Sequence, residues 1–273
     1  MPRAFLLDLD GTLYSGGAPV PGVPAAIAAL QSRNTPCRFL TNTTSISRRG
    51  LVERLRGYGY DVAESGIITP LVTAAALLKA EGIRTVMPFV PEAALEDLKK
   101  FELVGGTATR SVTGANPPVS SALSASCAVL IGDLGARWTF DLMQDAFAAL
   151  MAGARFIALS RDRYFQSAHG LRLDAGTFVA GLEYATGRSA ELVGKPGPAY
   201  YQRAVESLPG AFDRGEVAMV GDDLWSDIDG AQRAGCQGWL VRTGKFRQQT
   251  LQESGIVPDR ILESAAQLVE LAG

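Results

Sequence analysis

Short apolar runs separated by longer amphipathic stretches recur along this chain, and that alternation constrains its fold more than any other feature. Runs such as Ala4-Phe5-Leu6-Leu7 and Val217-Ala218-Met219-Val220 are too short for helices and lack polar alternation, which marks strands buried on both faces. Helical periodicity between such runs implies βαβ units and a parallel sheet covered by helices, the α/β class. The pattern predicts strands over 4–9, 38–40, 217–220, 239–241 and 260–262, with helices over 23–32, 47–58, 226–234 and 264–271. The two ends of the chain read as parts of one sheet. Between them lie strands predicted over 84–90, 128–131 and 156–160 and helices over 91–99 and 139–152. This middle block has its own alternation and is bounded by glycines near Gly82 and from Gly170 to Gly176, as a second lobe would be. Residues 107–126, rich in Ser, Thr, Gly, Ala and Pro, form the least regular stretch and are expected to cross that lobe's surface.

A chain of 273 residues that is 47% hydrophobic buries a sizeable core, as two domains or as one with an insertion. Its formal net charge of -2, with no basic tract, excludes nucleic acid as the expected partner. No apolar run reaches the roughly 18–20 residues that cross a bilayer, and the N-terminus lacks the pattern of a secretory leader. A cytoplasmic protein with no membrane partner is expected. Cys37, Cys127 and Cys236 are far apart, without metal-ligand spacing, and are expected as reduced thiols. The single histidine, His169, leaves no Ser-His triad and no His-based metal cluster, and is expected on a loop.

The first strand delivers Asp8-Leu9-Asp10-Gly11-Thr12-Leu13 to its carboxyl end. Alone, an Asp-x-Asp pair is as consistent with a turn cap as with a site. Three further polar clusters, however, follow strand-like runs: Thr41-Asn42 after Phe39-Leu40, Gly194-Lys195-Pro196 after Leu192-Val193, and Gly221-Asp222-Asp223, with Asp227 and Asp229 beyond, after Met219-Val220. The carboxyl ends of the strands in a parallel α/β sheet form the ligand crevice, so the four clusters converge there. Asp8, Asp222 and Asp227 brought together would repel one another unless a hard, oxygen-seeking cation lay between them, and Mg²⁺ suits such a set. Thr41 and Asn42 offer uncharged donors and Lys195 a point charge to a tetrahedral oxyanion, which describes a phosphoryl site.

Together these motifs resemble the haloacid dehalogenase-like (HAD) hydrolases, over nearly the whole chain. The likeness is closest to subfamily IIA, the branch with a large α/β cap between the second and third motifs, which includes sugar-phosphate, phosphoglycolate and p-nitrophenyl phosphatases. It implies a Rossmann-like parallel-sheet core of residues 1–81 and 177–273 with an inserted α/β cap domain, residues 82–176. The resemblance further implies that Asp8 is the nucleophile, forming an aspartyl-phosphate, and that Asp10 is the general acid and base. Thr41, Asn42 and Lys195 would hold the phosphoryl group. Asp8, the Asp10 backbone carbonyl, Asp222 and Asp227 would hold Mg²⁺, Asp227 either through water or by orienting Lys195.

Asp223 and Asp229 read as a helix N-terminal charge and a solvated residue. Trp225, Tyr14, Tyr164 and Phe165 are packing residues or apolar walls of the site. Asp133, Arg137 and the run Arg161-Asp162-Arg163-Tyr164 are the cap's specificity candidates, an arginine there meeting either a second anionic group or a surface acid. The implied partner is a small phosphorylated metabolite, and exposed cap strand edges offer a route to a homodimer. The alternatives are a phosphotransferase or mutase using the same intermediate, and a non-enzymatic binding or regulatory protein. No proposed catalytic residue is missing, as the last would lead one to expect.

Overall fold

The computed structural model describes residues 1–107, 126–167 and 170–271. The expected surface crossing at 107–126 lies, but for its two end residues, outside the described residues, as does His169. The chain divides into two compact units, one of residues 1–41, 49–68 and 195–273, the other of residues 42–48 and 69–194.

The first unit is built on a six-stranded sheet. Its order is Arg260–Leu262, Gln237–Val241, Val217–Gly221, Ala4–Asp8, Cys37–Leu40 and Ile67–Ile68, and every pairing is parallel. Ala4–Asp8 and Val217–Gly221 are buried at every position, which is why neither shows alternation in sequence. Phe5 and Trp239 meet edge to face within this sheet, 5.7 Å apart. Tyr14–Ser15 and Ala18–Pro19 form a short antiparallel hairpin after the first strand.

The second unit carries a five-stranded parallel sheet, ordered Glu191–Leu192, Arg155–Ala158, Cys127–Ile131, Thr85–Phe89 and Glu102–Leu103. An antiparallel hairpin, Tyr164–Ser167 with Gly170–Leu173, belongs to the same unit. Its helices pack on both sides of the sheet in two apolar clusters. One includes Leu142, Ala146, Val179 and Leu182 with Val129 and Phe156, the other Leu71, Ala74 and Leu78 with Leu130 and Ile157.

This packing moves both expected domain boundaries. The helix Pro70–Ala80 and the segment from residue 177 to Leu192 are assigned by sequence to the core, yet they pack on the second sheet or extend it. Amphipathicity says that a helix buries one face, not which sheet it covers. Pro70 starts its helix well because it stands at the first turn, where Thr69 Oγ1 accepts from Val72 N at 3.2 Å.

Three expected helices differ in kind. Residues 92–98 form tight three-residue turns, tied down where the Asp97 carboxylate accepts from Arg48 N. The stretch 264–271 opens in the same tight form before a single α turn. The stretch 226–234 is replaced by a wide turn at Leu224–Asp229 and a short helix Gly230–Arg233. None of the three cysteines forms a disulfide, and burial pushes the Cys37 thiol up to about 12 and those of Cys127 and Cys236 up to about 11. Among the described residues no helix is long and apolar enough to cross a membrane.

Candidate active site

Parallel register places three polar residues at one edge of the six-stranded sheet. Asp8 ends the central strand, Thr41 directly follows its neighbour on one side, and Asp222 its neighbour on the other. Lys195 immediately precedes the loop into the helix Pro198–Glu206 of the same unit. Its Nζ lies 2.5 Å from Asp8 Oδ1 and 2.6 Å from Asp227 Oδ1. The three residues are almost sealed from solvent, with relative exposures of 3%, 5% and 1%. Charges buried so deeply persist only when paired, and the lysine bridge supplies that pairing.

The pairing is incomplete. Asp8, Asp222 and Asp227 bring ligand oxygens within 4.8 Å of one another, so three carboxylates face one ammonium and leave a charge of minus two when all are ionised. Burial, then repulsion from Asp8 and Asp227, pushes the Asp222 carboxyl up to about 8. Burial likewise raises Asp227 to about 7 against the pull of Lys195. Asp8 is raised by burial in spite of its lysine partner. Burial disfavours the Lys195 cation, but Asp227 and Asp8 outweigh that effect and hold it protonated. Asp8 Oδ2 is buried without a hydrogen-bond partner. An orphaned carboxylate oxygen beside two more acids, with two negative charges to neutralise, fits a divalent oxygen-seeking cation such as Mg²⁺.

Glycines allow the carboxylates this approach. A Cβ on Gly221 would stand 2.2 Å from Asp227 Oδ2, and one on Gly11 (φ +93°) would stand 2.0 Å from Asp222 Oδ2. Gly244 (φ +59°) closes on the same Asp222 oxygen at 2.0 Å. Asp227 is aimed by the wide turn that displaces the expected helix: the Asp223 carbonyl accepts from both Asp227 N (2.9 Å) and Ile228 N (3.2 Å). Such i→i+5 turns recur at functional sites. Asp223 Oδ1 caps the turn, accepting from Trp225 N at 3.0 Å and Ser226 N at 2.9 Å, and Asp223 N donates to Asp227 Oδ2 at 3.1 Å. The Tyr201 hydroxyl donates to the Ser226 carbonyl.

Thr41 is 3% exposed, and the Tyr200 hydroxyl holds its backbone, lying 2.8 Å from the Thr41 carbonyl and accepting from Thr41 N at 3.3 Å. Asp10 is exposed, yet the surrounding protein partly desolvates its carboxyl and raises it against Lys245, Arg54 and Lys195. Asn42 is not part of this group. It belongs to the second unit, where its amide donates to Asp162 Oδ2 at 3.2 Å. Asp229 turns to Arg233 at 2.9 Å. Tyr14 is buried against Tyr58, 5.3 Å away, whereas Trp225 is 55% exposed.

Of the specificity candidates, Arg161 is tied to Glu183 and to the Ala190 carbonyl. The Asp133 carboxylate accepts from Gly135 N, and Arg137 is exposed. Thr243, Gly244, Lys245, Tyr200 and Tyr201 also shape the site and are not among the residues singled out by motif. Thr243 Oγ1 donates to the Gly11 carbonyl, Lys245 N donates to Asp222 Oδ2 at 2.6 Å, and Lys245 Nζ lies 2.9 Å from Asp223 Oδ2. The signal was present, because Thr243–Lys245 follow the strand Gln237–Val241 just as Asp222 follows Val217–Gly221.

The family model for haloacid dehalogenase-like hydrolases matches residues 5–104, and a HAD-hydrolase-like model matches 192–268. The chain belongs to the haloacid dehalogenase-like hydrolases. Haloacid dehalogenase-like hydrolase domain-containing protein 2 of Rattus norvegicus is 36% identical over 245 residues, 90% of this chain and 86% of that one. Phospholysine phosphohistidine inorganic pyrophosphate phosphatase of Homo sapiens is 32% identical over 275 residues, 98% and 93% of the two chains. Among solved structures, p-nitrophenyl phosphatase from Archaeoglobus fulgidus superposes with a TM-score of 0.86 at 26% identity, covering 99% of each chain. Both the family and these phosphatase relatives make this HAD hydrolase a phosphatase with the Rossmann-like α/β fold of its subfamily.

Proposed function

We propose that this phosphatase is Mg²⁺-dependent and hydrolyses a small phosphorylated metabolite through an aspartyl-phosphate on Asp8. The observation that carries the reading is the buried Lys195 bridge between Asp8 and Asp227, beside Asp222, with one Asp8 oxygen unpartnered. Asp8, the Asp10 backbone carbonyl, Asp222 and Asp227 are the residues to hold the ion. When bound, Mg²⁺ supplies positive charge to the carboxylate cluster and to the phosphoryl oxygens.

The protein's own residues carry the two displacements. An Asp8 carboxylate oxygen forms a bond to phosphorus as the bond to the leaving oxygen breaks, and Asp10 delivers its proton to that oxygen. A carboxyl raised by desolvation retains the proton for this purpose. Water then attacks the phosphorus, Asp10 takes a proton from it, and the Asp8–phosphorus bond breaks to release inorganic phosphate and restore the carboxylate. Lys195 fixes the Asp8 carboxylate through Oδ1 and offsets charge on the phosphoryl oxygens, while Thr41, held by Tyr200, donates to them.

The test is inorganic phosphate release from p-nitrophenyl phosphate and a panel of phosphorylated metabolites, with and without Mg²⁺, for wild type beside Asp8→Asn. Metal-dependent release that the variant loses supports the reading. Transfer of the phosphoryl group to a second substrate, with little free phosphate, would instead reveal a phosphotransferase.

A further inference from the structure

We propose that Lys245 is a second functional lysine of this site, a positioning residue whose ammonium anchors Asp223 and thereby aims Asp227 at the metal position. The assignment rests on the carboxylate cluster being the metal site proposed above.

Four contacts within the first unit place Lys245 in this role. Its backbone N–H donates to Asp222 Oδ2 at 2.6 Å, so the loop that carries it is fastened to one of the three clustered acids. Thr243 fastens the same loop to the Gly11 carbonyl, and Gly244 packs where no side chain fits, 2.5 Å from Gly11 Cα to a notional Cβ. The side chain then reaches Asp223 Oδ2 at 2.9 Å. Asp223 in turn spends its other oxygen on Trp225 N and Ser226 N and its own backbone N–H on Asp227 Oδ2. The chain of contacts runs from Lys245 through Asp223 to the orientation of Asp227, with no step longer than 3.1 Å.

Lys195 and Lys245 thus divide two tasks. Lys195 is 4% exposed in its side chain and bonds the reacting carboxylates directly. Lys245 is 64% exposed in its side chain and touches neither Asp8 nor Asp227 through its ammonium in the contacts described above. An exposed lysine–aspartate pair is ordinarily worth little to stability. The aspartate here is 16% exposed in its side chain and has three hydrogen-bonding duties in one turn, so its orientation matters beyond that pair. Groups that orient metal-binding side chains typically cost about 10–100-fold in metal affinity when removed.

The sign of the effect separates positioning from simple charge. A cation beside a metal site repels the metal, so if Lys245 acted only through its charge, Lys245→Met would tighten Mg²⁺ binding. If it positions Asp227 through Asp223, the same substitution weakens it. The backbone N–H to Asp222 survives every side-chain substitution, and the exposed side chain can be replaced without disturbing the core.

Mg²⁺ dissociation constants are measured from the rise in Tm with added Mg²⁺ and by isothermal calorimetry, with no substrate present. The variants are Lys245→Met, Lys245→Arg, Asp223→Asn and the Lys245→Met/Asp223→Asn double variant, beside wild type. The expected results are about ten-fold weaker binding in Lys245→Met, substantial recovery in Lys245→Arg, and a double variant no weaker than Asp223→Asn alone, because both substitutions break one chain of contacts. Unchanged or tighter binding in Lys245→Met, or losses that add in the double variant, would overturn the assignment while leaving the metal site standing. A wild type that shows no Mg²⁺ binding would overturn the metal reading itself, and this assignment with it.

Discussion

The two units are built alike and used differently. Each has a parallel sheet with helices on its faces, yet the first buries Asp8, Lys195, Asp222 and Asp227 at the carboxyl ends of its strands or beside them. The second, among its described residues, buries the neutral polar groups Thr44, Ser47, Thr69, Thr73 and Ser160 and one acidic side chain, Asp97, 4% exposed. Asp97 is a single acid that is compensated, accepting from Arg48 N at 3.0 Å and lying 3.6 Å from Arg48 Nε, and partly exposed pairs such as Arg155 between Glu81 and Glu191 and Arg161 on Glu183 hold further charges. Architecture therefore does not tell the two apart. Concentrated, under-compensated charge does, because burying it costs stability that only a bound ion or substrate repays.

The largest effect should come from the residue at the centre of that concentration. Asp8→Asn keeps the size and the shape of the side chain but removes the nucleophile, and it should lower phosphate release by at least about a thousand-fold. Its circular dichroism spectrum should match wild type. Retained turnover would mean that the charged cluster is structural, and the contrast between the units would collapse. Chelation with EDTA should stop turnover and added Mg²⁺ should restore it. Full activity after chelation would show that the minus-two cluster is neutralised in some other way.

Lys195→Met should act on both activity and stability. It removes the cation bonded to both Asp8 and Asp227, which should lower turnover by about 10²–10³-fold and destabilise the metal-free protein by about 3–5 kcal/mol. Chemical denaturation without metal measures the second effect, and Mg²⁺ should return part of the loss. An unaffected midpoint would show that Asp8 and Asp227 carry protons in place of the missing cation. Tyr200→Phe should be milder. Losing the hydroxyl that holds Thr41 leaves buried backbone groups short of a partner, worth about 1–3 kcal/mol, and phosphate release should fall only a few-fold.

How much of this contrast could be seen in the sequence depends on the kind of contact. Asp8, Thr41 and Asp222 end or directly follow strands of one sheet, so the strand-end rule was enough to bring them together, whereas Lys195 follows Glu191–Leu192 of the second unit's sheet and Asp227 sits in the wide turn beyond Asp222. Lys245 and Gly244 obey the same rule after Trp239-Leu240-Val241, but a backbone N–H as donor leaves no mark of residue type, and a glycine after a strand reads as a turn before it reads as clearance for a carboxylate. The wide turn at Leu224–Asp229 is equally silent, because its extra residue per turn comes from capping by Asp223 and anchoring by Tyr201, not from local propensity. Asn42 was grouped with Thr41 by adjacency, yet its amide is committed to Asp162 in the second unit. The helices Pro70–Ala80 and Ala175–Thr186 were absorbed into the core for a like reason: their partners, Leu130 and Val129, are distant in sequence.

The smallest expected effect is the sharpest control on the comparison. Arg155 is heavily engaged on the second unit's surface, reaching Glu81 at 3.1 Å and Glu191 as well, and on paper it looks as much like a charge centre as Lys195 does. Its side chain is 40% exposed, however, and its partners 34% and 36%, so water screens each pair and solvates whatever is left behind. Arg155→Met should therefore cost at most about 1 kcal/mol in denaturation and leave phosphate release and Mg²⁺ affinity at wild-type values. A stability loss near that of Lys195→Met would show that number of contacts, and not burial, decides what a charged cluster is worth in this fold. A loss of turnover with intact stability would instead carry the reaction's charge requirements into the second sheet.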